Sequence, residues 1–250
     1  MIGRAQKEFI KLLESISPER NRYEVFCDFL QMAGLSFAQV GHFDESREQL
    51  YLKTIGKYSK EDQQKFPQLL ALVVDGLNAG YSDFLGEIYM ESNFGSSRQG
   101  QFFTPYSVCR LCAEVTVKSE YDNSRIITVA DPCIGGAAMV IAKAEALQLR
   151  GFNYQQNMLV TGTDVSINSV YMALIHLSIL GIPAVIVHGN SLSLEQWGVY
   201  TTPAFSYTLI QERYRAQCRR DEENNYKAEQ IVLDTDLRQR DYKQQSLFED

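Results

Sequence analysis

The sequence predicts an α/β fold: a short parallel sheet preceded by a helical region. Three observations carry that expectation. Ile126, Ile127, Val129 and Ala130 form a short apolar, largely β-branched run that breaks at Asp131-Pro132 and two glycines, the pattern of a buried strand feeding a tight turn. The turn opens onto AAMVIAKAEALQL, whose alanines and leucines suit a helix. Upstream, apolar residues recur at helical rather than strand spacing for about the first hundred positions.

Taken in order, residues 3–16 and 18–40 read as amphipathic helices, with Phe9, Leu12, Leu13 and Ile16 on one face and Ser17-Pro18-Glu19 as the restart signal. The stretch from Arg47 to Lys57 has no clear period. Ser59 is placed to cap a helix through Asn78 that carries Phe66, Leu69, Leu70, Val73 and Leu77, although Pro67 favours a start near itself. Ser82 is the expected cap for the helix of Phe84, Leu85, Ile88 and Tyr89. A Gly-, Ser- and Asn-rich loop follows, then Pro105 at the first turn of a helix through Val117. Beyond the glycine turn, Met158 to Thr161 read as a second strand, Ile167 to Leu180 as a helix, and Pro183 to His188 as a third strand. A short strand near Trp197 to Thr201 and a polar helix over 206–230 complete the reading. The expected division is therefore 1–99 helical, 100–205 α/β, and 206–250 polar helix and tail.

Composition narrows the class. A chain of 250 residues, 45% hydrophobic, has enough material for a core. No apolar run approaches membrane-spanning length, and Lys7, Glu8, Lys11 and Glu14 interrupt the first 20 residues, so a cytoplasmic protein is expected. Five cysteines at irregular spacing do not suggest a disulfide framework. A net charge of -7 makes the chain a poor general binder of nucleic acid, so DNA contact would need a local basic patch or a basic partner. Arg213, Arg215, Arg219 and Arg220 form such a cluster, which a following acidic run partly offsets; a solvated helix face explains it better than DNA phosphate contact.

Cys109 and Cys112 form a CxxC on a predicted helix without a second pair or a nearby histidine, so buried thiols explain them better than a metal, and no metal site is expected. His42, His176 and His188 are scattered and read as structural or solvated. Asp164 ends the second strand far enough beyond Gly135 for one helix and one strand. A carboxylate there suits ribose hydroxyls in nucleotide-binding α/β folds, the preferred reading, while a helix cap for Ser166 onward is the alternative that the same oxygens cannot easily serve as well.

In chain order, DFLGEIYM, GQFFTP, DPCIGGAA, GTDVS and GNSL over roughly residues 80–192 resemble the phrases of N6-adenine DNA methyltransferases of the type I restriction-modification kind. The resemblance implies a class I S-adenosylmethionine-methyltransferase sheet, Rossmann-like and here shortened. It implies cofactor binding by Phe102, Phe103, Thr104, Pro105, Asp131, Pro132, Gly135, Asp164 and Asn190, with the FTP segment beside the methionine end. Asn190 stands where the family usually has Asp, and its side-chain carbonyl would accept from the adenine amino group. DNA and a partner subunit or second copy are the implied partners, and a helical region ahead of the catalytic domain helps with those contacts; shielding one face of the sheet explains the same helices.

The departures from the family pattern are specific. Ala137 and Ala138 replace expected glycines, Ile134 replaces a common cysteine, and a β-carbon at Ala137 is expected to narrow the cofactor space and to cost energy if that residue needs positive φ. The NPPF or NPPY tetrapeptide that receives the flipped adenine is not intact. Its nearest counterpart is Thr202-Pro203-Ala204-Phe205, which assigns Thr202, Pro203 and Phe205 as degenerate catalytic candidates, while a plain helix start explains them too. Two functions thus stand side by side: methyl transfer to adenine N6, or an inactive methyltransferase-fold binding module that depends on a partner. Gln244, Leu247 and Phe248 in QQSLF resemble the pentapeptide by which bacterial proteins bind the sliding clamp, which adds the clamp as a partner.

Overall fold

The computed structural model describes residues 3–40, 43–92, 103–118 and 121–223. Residues 1–210 form one compact unit; a second covers 211–250, of which 211–223 are described as helical. The first unit begins with α1 (Arg4–Glu14), α2 (Arg22–Ala38), α3 (Glu45–Ile55), the single turn α4 (Lys60–Gln63), α5 (Lys65–Ala79), α6 (Phe84–Glu91) and α7 (Tyr106–Thr116). The sheet region follows as β1 (Ile127–Asp131), α8 (Ala138–Leu149), the turn α9 (Tyr154–Asn157), β2 (Met158–Asp164), α10 (Ile167–Ile179), β3 (Ala184–Asn190), β4 (Glu195–Thr201) and α11 (Pro203–Tyr207).

The sheet runs β1-β2-β3-β4, its first three strands parallel and β4 antiparallel to β3 with a bulge at His188/Gly189. Alternation sorts the strand residues onto two faces. Ile127, Val129, Met158, Val160, Ala184 and Ile186 turn inward onto α8 and α10. Thr128, Ala130 and Thr161 on the other face are exposed. Because parallel strands need crossovers, α8 and α10 return the chain each time and bring all three strand ends to one edge. Ligands of such sheets lie along that carboxyl edge.

A second core fills the helical region, where the Phe9 ring meets Phe26, Phe29 and Phe84 edge-on at 5.3–6.3 Å. Helix α10 is buried nearly all round. Val170, Ala173, Leu174 and Leu177 join the sheet core, and Tyr171, Met172 and Ile175 join the helical one.

Several local expectations are corrected. Helix α2 starts at Arg22 because the Asn21 side chain accepts from Tyr23 N at 2.8 Å; Ser17 is in the left-handed region, its hydroxyl 3.0 Å from Asp62. Residues 45–55 form a helix despite their lack of period, since Asp44 caps it and only Thr54 is buried, leaving little apolar signal to read. Ser59 caps only α4; α5 starts at Lys65 with Pro67 in its first turn, where a missing N–H costs nothing. Asp83, not Ser82, caps α6. The helix expected over 206–230 is interrupted, with Leu209 at φ 49° following α11.

Candidate functional site

The turn after β1 is held from both sides. Asp131 Oδ1 accepts from Cys133 N at 3.0 Å, and Ile134 N donates to Thr163 O at 3.0 Å, which ties the turn to β2. Gly135, at φ +54°, donates its N–H to Asp164 Oδ2 at 2.9 Å, while Asp164 Oδ1 accepts from Ser166 N at 2.8 Å. Ser166 itself caps α10, so Asp164 braces the turn and leaves the capping to its neighbour. Each Asp164 oxygen keeps a further lone pair after one backbone bond. Ala137 does adopt positive φ, +70°, where an alanine costs about 1–2 kcal/mol. It is fully buried, so its β-carbon packs into the core and does not narrow the cleft. Ile134 is accommodated by Gly162, where any β-carbon would come within 2.2 Å of Ile134 Cδ1.

Behind the turn is a buried polar cluster. Asp83 and His176 are 2% and 0% exposed. His176 Nε2 accepts from Leu85 N at 3.1 Å, which places the ring proton on Nδ1, and Nδ1 donates it to Gly136 O at 2.8 Å. Asp83 Oδ1 accepts from Gly86 N at 3.1 Å and stands 3.8 Å from His176 Nδ1. The carboxylate fits only because its neighbours are glycines: a β-carbon on Gly86 would meet it at 2.1 Å and one on Gly136 at 2.6 Å. Burial raises the Asp83 carboxyl to about 7 and lowers the His176 imidazole to about 4, so both favour their uncharged forms. Histidine-176 is structural, as its isolation in the sequence suggested. Its contact with the turn and with α6 joins segments 40 and 91 positions away, a relation with no local signal in the sequence.

Two clefts flank the turn. The first, of 570 Å³, runs between α6 and α7 and is lined by Asp83, Glu87, Met90, Phe103, Thr104 and Arg110, with Pro105 at its edge. Phe103 lies over Gly135, 3.2 Å from where a β-carbon would sit, and packs edge-on against Tyr89 at 5.4 Å. Arg110 Nε and the Tyr106 hydroxyl both reach Glu145 Oε2, at 3.2 and 2.9 Å. The second cleft, of 370 Å³, lies at the carboxyl edge of the sheet and is lined by Asp131, Pro132, Thr163, Val187, Asn190 and Leu194. Asn190 Oδ1 accepts from Leu192 N at 2.9 Å and from Ser193 N at 3.4 Å, so both lone pairs of the carbonyl expected to meet an adenine amino group are taken by its own turn and the amide Nδ2 is the group left to present.

The structure therefore brings Phe103, Thr104 and Pro105 to one side of the turn and Asp131, Pro132 and Asn190 to the other, with Gly135 and Asp164 between them. It does not bring Thr202, Pro203 and Phe205 there. Thr202 is fully buried; its hydroxyl donates to Ile182 O at 2.8 Å and accepts from Ala184 N at 2.9 Å, at the start of β3. That is the opposite end of the strand from Asn190, about 20 Å away at the rise of a β-strand. Pro203 opens α11 as an ordinary first-turn proline. Cys109 is buried, with its thiol pushed up to about 11 by burial, whereas Cys112 is exposed. Phe102, His42 and the tail residues Gln244, Leu247 and Phe248 lie outside the described residues. Among the described residues no helix is long and apolar enough to cross a membrane.

A family model described as N-6 DNA Methylase matches residues 81–240. Among solved structures, the chain is similar to a Listeria monocytogenes protein assigned to the class I S-adenosylmethionine-dependent methyltransferases, at 15% identity and a TM-score of 0.43, covering 76% of this chain and 55% of that one. It is also similar to the methyltransferase subunit of a type I restriction-modification system from Streptococcus thermophilus, at 14% identity and a TM-score of 0.39, covering 78% and 59%. The chain thus spans less than two thirds of either structure's length. Among curated proteins no match is found.

Proposed function

Because the chain belongs to the N-6 DNA methylase family, we propose that it binds S-adenosylmethionine across the glycine turn and serves methyl transfer to adenine N6 in DNA together with a partner chain. The observation that carries this reading is the bond from Gly135 N to Asp164 Oδ2, which joins the turn after the first strand to the carboxylate ending the second. That is where an α/β sheet receives a nucleotide. The residues present fit the cofactor. Gly135 lets backbone come close, Asp164 retains acceptor capacity for ribose hydroxyls, and Pro132, Val187 and Leu194 offer apolar walls for a base, with Asn190 Nδ2 a donor beside them. When bound, the cofactor supplies an electrophilic methyl group on its sulfonium sulfur.

The partner enters for a physical reason. Adenine methylation needs acceptors for the target amino group and a ring to stack on the flipped base. Thr202 spends its hydroxyl on Ile182 and Ala184 at the far end of β3, so those groups come from another chain in this reading. The acidic balance of the chain, net -7, points the same way for DNA contact. The same position of Thr202 favours a second reading, in which the protein is an inactive, partner-dependent binding module that engages the sliding clamp through Gln244, Leu247 and Phe248.

Calorimetric titration with S-adenosylmethionine and its demethylated product tests the cofactor. Micromolar binding, weakened at least tenfold in Phe103→Ala, is expected, and absence of heat from the wild type sinks the reading. Labelled methyl transfer to adenine-containing DNA, with and without the candidate partner, then separates the enzyme from the module.

A further inference from the structure

The cleft between α6 and α7 is electrically divided. Helix α6 presents Asp83, Glu87 and Glu91 to it at successive four-residue steps, the spacing that stacks side chains on one helix face. Helix α7 presents Arg110, whose Nε is anchored on Glu145. Glu87 is held in place by Gln6 Nε2 at 2.6 Å. Asp83 is the unusual member. It is 2% exposed yet borders the cleft, and while Oδ1 accepts from Gly86, Oδ2 accepts no hydrogen bond among the described residues. Oδ2 therefore keeps its acceptor capacity at the edge of the cleft, where a cation or strong donor would find a charge-assisted partner.

A carboxylate wall facing a guanidinium across one cleft is the complement of an α-amino acid zwitterion. The second cleft, with Pro132, Thr163, Val187 and Asn190, is the complement of a nucleoside, and the glycine turn separates the two. We infer that Asp83, supported by Glu87, receives the α-ammonium of the cofactor's aminoacyl end, with Arg110 on the side of its carboxylate. This rests on the cofactor reading above and assigns a ligand contact to the DFLG segment, which that reading leaves without one. Among the described residues no three carboxylate, thiol or imidazole side chains converge closely enough to hold a metal ion.

The assignment carries a proton signature. Burial holds the Asp83 carboxyl near 7, so at neutral pH an arriving ammonium draws a proton from it. The groups facing Asp83 are Glu87 on its own helix, His176 on α10 and Cys109 on α7, and burial keeps the His176 imidazole and the Cys109 thiol uncharged at that pH.

The test compares three ligands by calorimetry on the full chain: S-adenosylmethionine, S-adenosylhomocysteine, and methylthioadenosine, which lacks the aminoacyl end. Asp83→Asn keeps the shape of the side chain and a capping oxygen for Gly86 N. It is expected to weaken the first two ligands at least tenfold and leave methylthioadenosine unchanged, with Glu87→Gln intermediate. Wild-type binding of S-adenosylmethionine near pH 7 is expected to release protons, read as a heat that varies with the buffer's ionisation enthalpy. Equal loss for all three ligands would make Asp83 a brace of the turn only, and no loss for any would remove it from the site; either result overturns the inference. Should Asp83→Asn not fold, Glu87→Gln and wild-type proton release decide. If the wild type binds none of the three, the cofactor reading itself has failed.

Discussion

The two ends of the sheet use the same kind of bond for different ends. At the amino end, the Thr202 hydroxyl joins Ile182 O and Ala184 N and is sealed from solvent. At the carboxyl end, Asp164 also takes two backbone N–H groups, from Gly135 and Ser166, yet it remains half-buried with lone pairs to spare. A hydroxyl with one donor and one acceptor bond made keeps a single lone pair, sealed where no ligand can reach it; a half-buried carboxylate with two bonds made still accepts more. Polar side chains that brace backbone therefore mark a site only where capacity and access coexist.

The largest effect is expected at Gly136. A β-carbon there would lie 2.6 Å from Asp83 Oδ1, with Gly86 closing the other side. Gly136→Ala is expected to cost about 3 kcal/mol, the upper range for overpacking, and to abolish cofactor binding, measured by denaturant unfolding and titration.

The Asp83–His176 pair gives the next largest effect. The folded carboxyl at about 7 lies above its ordinary 3.8, so its stabilisation is complete below about 4 and is lost as pH rises through about 7. The folded imidazole at about 4 lies below its ordinary 6.5, so stability is lost as pH falls from about 6.5 to about 4. Each slope is about 1.4 kcal/mol per pH unit, and between about pH 4 and 6.5 they oppose each other. The wild type should therefore show little dependence from this pair in that window. Asp83→Asn should make stability rise with pH there, and His176→Gln should make it fall; parallel curves for all three proteins would refute the opposing titrations.

At the amino end, Thr202→Val removes two buried hydrogen bonds while keeping the shape, and should cost about 2 kcal/mol without changing cofactor affinity. Weaker cofactor binding at unchanged stability would return Thr202 to the site. The smallest effect is expected at Ala137→Gly, where relief of a left-handed alanine is set against loss of a buried methyl worth about 0.8 kcal/mol. Its melting curve should move by less than about 1 kcal/mol.

The legible parts of the fold were those where one physical signal dominates. The first three strands are apolar runs ended by Asp-Pro, Gly-Thr-Asp or a histidine, and their burial on the α8/α10 side is why they read clearly. Helix α3 was obscured because it buries only Thr54. Ser17 and Ser82 had the right chemistry for caps, but Asn21 and Asp83, one to four residues away, held the better geometry. Asp131, Gly135 and Asp164 were expected around strand ends, and the structure places them there. The placing of Asp83 and His176 behind the turn had no such signal, because the bond from Leu85 N to His176 spans 91 positions rather than a local pattern. TTPAF misled for the same reason: a motif has no address until β4 carries it to one end of the sheet or the other.

The double burial of α10 has a consequence for how the first unit comes apart. With Val170, Ala173, Leu174 and Leu177 in one core and Tyr171, Met172 and Ile175 in the other, neither core can dissolve without stripping a face from the helix that completes its neighbour. The amino-terminal helices and the sheet should therefore melt as one cooperative body. Fluorescence of the sole tryptophan, Trp197 on β4, and amide exchange in α2 would then report the same free energy of opening.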